Sequence, residues 1–320
     1  MNVAVIGVGN MGKNHVRVYA KLTNLVAVSD INEELGKELA SKYKCKFYKY
    51  YKEMLEKEKL DAVSIAVPTS LHKQVALDVI KHGVNLLVEK PLTNNLEDSE
   101  FILEEAKKAQ VKLMVGHVER FNPAVKKLKE LIDNNELGKI NTIVVRRVGV
   151  AGDPRKYEDI ILDLALHDID ILNYLLDAFP KKSFCLKGNS FSKHIEDYAD
   201  ILLHYGNTNA FLQVNWITPL KIRTLNITGT KGYAELNYIT QDLKLFKTNY
   251  HKDYDSFGDF VMKFGATSEV AVDVQKAEPL ELELKSFLRA ISENKNFDVT
   301  AREAIDALRI ALEVTKNPIN

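Results

Sequence analysis

The stretch "VAVIGVGNMG", residues 3–12, constrains what this chain can fold into more than any other. Val3 to Ile6 form an apolar run of buried-strand length, and three glycines follow at G-x-G-x-x-G spacing. Gly7 permits a tight turn, Gly9 lets the backbone approach a pyrophosphate, and Gly12 lets a helix pack closely on the strand. A helix opening there would aim free N–H groups at the phosphates. A lone glycine triplet is a weak signal, but this one follows a strand and opens a helical run, which is the context the motif requires. The second apolar run, 25–29, ends in Asp30. A carboxylate there can accept hydrogen bonds from ribose hydroxyls and would repel a 2′-phosphate. Ile31 and Asn32 bring no positive charge to hold one. The expected cofactor is therefore NAD, bound by Gly7, Val8, Gly9, Asn10, Met11 and Gly12 of the loop together with Asp30 and Ile31.

Three more short apolar runs follow, at 62–67, 86–88 and 112–116, and most are apolar on both faces, as buried parallel strands are. Amphipathic stretches lie between them. In "SLHKQVALDVIKHG" Leu71, Val75 and Val79 recur every four residues, and "LEDSEFILEEAKKAQ" places acids first and lysines last, as the helix dipole favours. Such alternation predicts a doubly wound parallel sheet of the Rossmann type. Near residue 120 the pattern changes. A helix opened by Pro123 and closed by Gly138, a strand in "KINTIVVRRVGV" and a helix in "ILDLALHDIDILNYLLDAF" precede strand-like runs that follow one another directly. Consecutive strands predict a mainly antiparallel sheet, and two helices close the chain near 280–293 and 301–315. Residues 248–279 show no clear period. The fold class expected is α/β: a Rossmann domain at 1–120, binding NAD, and an α+β domain at 121–320 with a mainly antiparallel sheet; the resemblance described below implies that this sheet is large and open and that its domain binds substrate and serves oligomerisation.

Composition narrows the partners. The 320 residues hold 44 Lys plus Arg and 44 Asp plus Glu, so no basic footprint for nucleic acid and no acidic tail is present. No apolar run approaches membrane length, and the apolar N-terminus lacks a basic region. Cys45 and Cys185 lie far apart without metal-ligand spacing, which predicts reduced thiols in a cytoplasmic protein with no metal.

Chemistry is expected at "NLLVEKPLTNN", residues 85–95. In an open α/β sheet ligands bind beyond the carboxyl ends of the strands, where both Gly7 and Lys90 would lie. Pro91 biases Lys90 towards extended backbone. A nearby oxidised nicotinamide and partial burial would both favour the neutral amine, making Lys90 a proton acceptor. Glu89 could pair with it or orient the cofactor; alone, a Glu-Lys pair is an ordinary strand-end feature. The second constellation shifts the balance. Asp163, His167, Asp170 and Tyr174 recur at i, i+4, i+7 and i+11, while Leu162, Leu166, Ile169 and Leu176 line another face. A His and an Asp facing a crevice can bind and polarise a hydroxyl, although a structural His at a domain junction explains the helix equally well.

Taken in order, "GVGNMG", "VPTSLH", "VEKP", "GHVERFNP" and Asp163-x-x-x-His167 resemble the Gfo/Idh/MocA oxidoreductases, from residue 1 to about 315. That resemblance implies an NAD(P)-dependent enzyme acting on a sugar, an inositol or a nucleotide sugar. It implies Lys90 as catalytic acid/base, Asp163 and His167 on the helix facing the nicotinamide, and Thr69, His72 and Glu89 as cofactor contacts. It also implies a homo-oligomer, dimer or tetramer, joined through the C-terminal sheet. Within the family, "GHVERFNPAV" and "AEPLELELKSFLRAI" are similar to the UDP-N-acetylglucosamine 3-dehydrogenases, which oxidise the sugar 3-hydroxyl to a ketone. For the UDP diphosphate, Arg120, Asn122, Arg155 and Tyr157 are the candidate donors. An inositol or other sugar dehydrogenase of the same family is the near alternative, and a non-catalytic NAD-sensing regulator the distant one. Members often carry a glycine pair before the catalytic Asp; here Ile160-Ile161-Leu162 leaves the local backbone open.

Overall fold

The apolar runs form the strands, and the glycine turn leads into the first helix. In the computed structural model, which describes residues 1–150, 159–191, 195–254, 257 and 260–316, the N-terminal part alternates strictly. It runs β1 (Asn2–Ile6), α1 (Gly12–Leu22), β2 (Asn24–Ser29), α2 (Glu33–Tyr43), β3 (Lys46–Tyr48) and α3 (Tyr51–Lys57). There follow β4 (Ala62–Ile65), α4 (Thr69–Lys81), β5 (Asn85–Glu89), α5 (Leu96–Lys108) and β6 (Leu113–Gly116). The six strands are parallel in the order β3-β2-β1-β4-β5-β6, so the order reverses between β1 and β4. That reversal is the switch point at which such sheets hold ligands. Val3, Val5, Val63, Leu86 and Val88 are wholly buried, as a sheet covered on both faces requires. Local chemistry sets the helix starts. Asn32 and Asn95 cap α2 and α5 by accepting from the N–H groups of Leu35 (3.2 Å) and Asp98 (2.8 Å). Strand β3 escapes a pattern search because three residues, Lys46 exposed and Phe47 and Tyr48 half-buried, carry too little periodicity; its pairing with β2 defines it.

The chain divides into two compact units, Met1–Phe121 with Glu278–Arg309, and Asn122–Ala277 with the segment from Ile310 on. The sequence expectation put everything after 120 in the second domain, whereas α8 (Pro279–Ser292) and the start of α9 (Ala301–Lys316) return to the first unit. Burial drives this return. Leu280, Leu284 and Phe287 join Val3, Val5 and Tyr19 in one apolar cluster, and Ala301, Ala304 and Ile305 join Ile6, Val63 and Leu86 in the other. Arg17 on α1 also pairs with Glu278 at the start of α8.

The second unit comprises α6 (Pro123–Asp133), β7 (Ile140–Val148), a π-helical turn at Ile161–Ala165, α7 (Leu166–Leu176), and seven further strands. These are β8 (Lys182–Gly188), β9 (Tyr198–His204), β10 (Asn209–Asn215), β11 (Ile222–Gly229), β12 (Tyr233–Asn237), β13 (Asp242–Tyr254) and β14 (Phe260–Val270). They form an eight-stranded sheet, β14-β13-β12-β11-β7-β10-β9-β8, antiparallel throughout except where β10 runs parallel to β7. The stretch without a period, 248–279, is largely the β13–β14 hairpin. Along β10 the residues alternate, Ala210, Leu212 and Val214 buried, Phe211 and Gln213 exposed.

A buried ion pair ties α7 to the sheet. Arg147 on β7 donates from Nε to Asp168 Oδ2 (2.6 Å) and from a terminal nitrogen to Oδ1 (2.9 Å), with its guanidinium 5.0 Å from the centre of the Tyr238 ring. Asp168 is wholly buried. Removing one partner of such a pair strands the other charge in the interior, so Arg147→Ala should cost about 3–5 kcal/mol of stability. Urea unfolding would measure it, and Arg147→Met with Asp168→Leu should recover most of the loss.

Candidate active site

Three glycines shape the start of the first unit's ligand edge. Gly7 has φ +83°, and a Cβ there would stand 2.7 Å from the Ala66 carbonyl oxygen. At Gly12 a Cβ would lie 1.8 Å from the Gly7 carbonyl oxygen, so only glycine allows α1 to start this close to β1. At Gly9 a Cβ would meet no protein atom within 4 Å. Nothing among the described residues requires glycine there, but a phosphate approaching the loop backbone would. Asp30 closes the arrangement. Its Oδ2 accepts from the Val8 N–H (2.7 Å) and its Oδ1 from the Asn32 N–H (2.8 Å), which holds the carboxylate at the loop beside the exposed Ile31. The open space over Gly9, the N-terminus of α1 and this carboxylate fit a dinucleotide.

The end of β5 lies on the same edge. Lys90 is half-buried immediately after Glu89, the last residue of the strand. Glu89 turns inward and pairs with His15 on α1, Oε1 to Nε2 at 2.8 Å, which neither sequence alternative for Glu89 anticipated. Gly116 makes room for it, since a Cβ there would press within 3.2 Å of the Glu89 carboxylate. His72, almost wholly buried on α4, has Nδ1 3.0 Å from the Pro91 carbonyl oxygen and Nε2 2.9 Å from that of Val67. Burial holds its pKa below the ordinary value although both carbonyls pull it up. A neutral ring has one N–H and so donates to one of these carbonyls, while the other nitrogen lies against the second. Thr69, half-buried, is the first residue of α4.

One group at this site was not predicted from the sequence. Glu283 on α8 is wholly buried, and neither carboxylate oxygen has a hydrogen-bond partner among the described residues. Burial raises its pKa well above the ordinary carboxyl value, and the charge of Glu89 raises it further. A signal was present: Glu283 falls on the apolar stripe of Leu280, Leu284 and Phe287.

In the second unit, Asp163 lies in the π-helical turn and His167 in the first turn of α7, both half-buried. The backbone left open by the missing glycine pair is held by Asp159, whose Oδ1 accepts from the N–H groups of Ile161 (2.6 Å) and Leu162 (3.2 Å). Asp170 is buried and Tyr174 half-buried on the same helix. Arg120 and Asn122 are engaged inside the fold. Arg120 pairs with Glu303 in the first unit at 2.5 Å, and Asn122 caps α6 on the Ala124 N–H (3.1 Å) while donating to the Tyr238 carbonyl (3.0 Å). Arg155 and Tyr157 lie outside the described residues. No helix among the described residues is long and apolar enough to cross a membrane.

Comparison with known proteins agrees with this architecture. Residues 1–117 match the oxidoreductase family with NAD-binding Rossmann fold, and residues 125–235 match the GFO/IDH/MocA C-terminal domain. The chain is 29% identical over 297 residues to a UDP-N-acetylglucosamine 3-dehydrogenase of Acidithiobacillus ferrooxidans, covering 92% of this chain and 90% of that one. A solved structure of that enzyme superposes with a TM-score of 0.85 at 26% identity, over 98% of this chain and 96% of the other. A myo-inositol 2-dehydrogenase of Thermotoga maritima is 33% identical over 183 residues, 55% of each chain.

Gly9→Ala should leave the melting temperature nearly unchanged and weaken NAD binding, whereas Gly12→Ala should impair folding itself; thermal melts and NAD titration separate the two. Glu283 gives a pH signature. Its carboxyl ionises near 4.5 in the unfolded chain and at higher pH in the fold, so its contribution is complete below that value and stability is lost as pH rises above it. Glu283→Gln cannot ionise, and its stability relative to the unmodified protein should grow as pH rises above 4.5 towards the folded-state pKa of Glu283, as denaturant titrations would show.

Proposed function

The chain belongs to the Gfo/Idh/MocA family of NAD-binding sugar oxidoreductases, and from that premise we propose that it oxidises the 3-hydroxyl of UDP-N-acetylglucosamine to the 3-keto nucleotide sugar. The observation that carries this choice is extent. Similarity to the Acidithiobacillus enzyme spans 92% of this chain and 90% of the other, while the Thermotoga inositol enzyme matches over 55% of each. The inositol alternative keeps one point in its favour, the higher identity of 33% within its half-length match.

NAD rather than NADP is the proposed cofactor: the Asp30 carboxylate, held at the glycine loop, would repel a 2′-phosphate, and Ile31 and Asn32 offer no countercharge. When bound, NAD supplies the hydride acceptor. Lys90 takes the proton of the sugar hydroxyl as the C–H bond gives up its hydride, so the alcohol loses one proton and one hydride and becomes the ketone. His167 hydrogen-bonds the reacting hydroxyl or its neighbour, and Asp163 orients the sugar or His167. The loop Gly7–Gly12, Asp30, Ile31, Thr69 and Glu89 form or support the cofactor site, while Arg155 and Tyr157 are the diphosphate donors. The apolar outer face of the second sheet, where Val144, Phe184, Leu186 and Phe211 are exposed, pairs with a second copy of the chain.

Lys90→Ala should lower turnover by about 10²- to 10⁴-fold while sparing NAD affinity. The assay follows NADH absorbance with UDP-N-acetylglucosamine, free N-acetylglucosamine and myo-inositol in parallel, an aminotransferase with amino donor drawing off the ketone. Near-normal turnover of the variant sinks the role of Lys90. Turnover of inositol alone moves the substrate assignment and keeps the chemistry.

A further inference from the structure

The chain has a single tryptophan, Trp216, directly after β10. Its indole Nε1 donates to Asp163 Oδ2 at 3.2 Å. Indole nitrogen can only donate, so the direction of this bond is fixed and Asp163 must accept. The indole is held on all sides by the second unit. It is 5% exposed, its backbone N–H donates to the Asp197 carbonyl (3.0 Å), and the Asn215 side chain immobilises the next two residues by accepting from Ile217 (3.2 Å) and Thr218 (2.9 Å). Asp163, in contrast, sits in a π-helical turn, a geometry that tertiary contacts must sustain. The π turn lies against β10 in the fold, so a rigid donor meets a carboxylate whose own backbone is the less regular partner.

We propose that Trp216 is the positioning residue for Asp163, holding its carboxylate at one place and orientation for the substrate, and that its emission reports the state of Asp163. This rests on the assignment of Asp163 to the substrate site made above. A phenylalanine can fill the space of the indole but cannot donate. Trp216→Phe should therefore lower kcat about tenfold or more, the loss of one hydrogen bond to a charged group, with Kd for NAD unchanged. A residue acting through Asp163 leaves nothing further to lose once Asp163 is gone. Trp216→Phe/Asp163→Asn should then be no slower than Asp163→Asn alone. A third readout needs no turnover: Asp163→Asn removes a charge beside the only indole and should shift the emission maximum of the ligand-free protein.

Wild-type kcat in Trp216→Phe, additive losses in the double variant, or unchanged emission in Asp163→Asn each overturn the proposal. Should Trp216→Phe fail to fold, the emission of Asp163→Asn still decides it. Additive losses in an active enzyme defeat the positioning role alone, whereas a protein inert towards every alcohol offered defeats the dehydrogenase assignment and this proposal with it.

Discussion

The approach of Gly12 to the carbonyl of Gly7 is the constraint on which the first unit depends. It fixes where α1 begins, and so points the helix N-terminus at the carboxyl edge of the sheet. It also sets His15, three residues into α1, where it reaches Glu89 at the end of β5. Glu89 precedes Lys90 directly, so the turn that would cradle phosphates and the strand end that would carry the proton acceptor are mechanically joined through one buried hydrogen bond. Gly116 on the neighbouring strand is shaped to the same purpose, since any side chain there would displace the Glu89 carboxylate. His72 completes the framework, its buried ring lying between the carbonyls of Val67 and Pro91 and donating to one of them.

The second unit solves a related problem with different means. The π-helical turn carries Asp163 and the first turn of α7 carries His167, and the glycine pair common in the family is absent. Asp159 caps the π turn, Trp216 grips Asp163, and the Arg147–Asp168 pair anchors the first turn of α7 to β7. Three polar contacts within ten residues convert an irregular turn into a defined one. Burying the ion pair costs desolvation, and its two parallel hydrogen bonds offset that cost.

Glu283 sits uneasily with ordinary core design. The pKa of this wholly buried carboxyl is raised by burial and by the charge of Glu89, because the protonated acid buries far more cheaply than the anion. The position of Glu283 on an apolar stripe also shows why α8 belongs to the first unit: the stripe shares one buried cluster with residues of β1 and α1.

The sequence by itself determined the parallel sheet, the glycine turn and the placement of Asp30 and Lys90 at strand ends. These follow from local rules, namely the φ that only glycine adopts, the length of apolar runs, and the offset between a strand and its next turn. It determined the antiparallel character of the second sheet for the same reason. Only the tertiary structure decided the return of Glu278–Arg309 to the first unit, the β13–β14 hairpin in a stretch without period, and the partners of Arg120, Asn122, Glu89 and Trp216. The polar contacts join residues from 53 to 183 positions apart, as Asp163 to Trp216 and Arg120 to Glu303 do, the return of Glu278–Arg309 depends on which apolar face finds cover, and the hairpin, though local, lies in a stretch whose residues do not alternate. Hydrogen bonds and burial at that separation leave no periodic mark in the chain, because they are chosen by the packing of whole elements and not by the residues beside them.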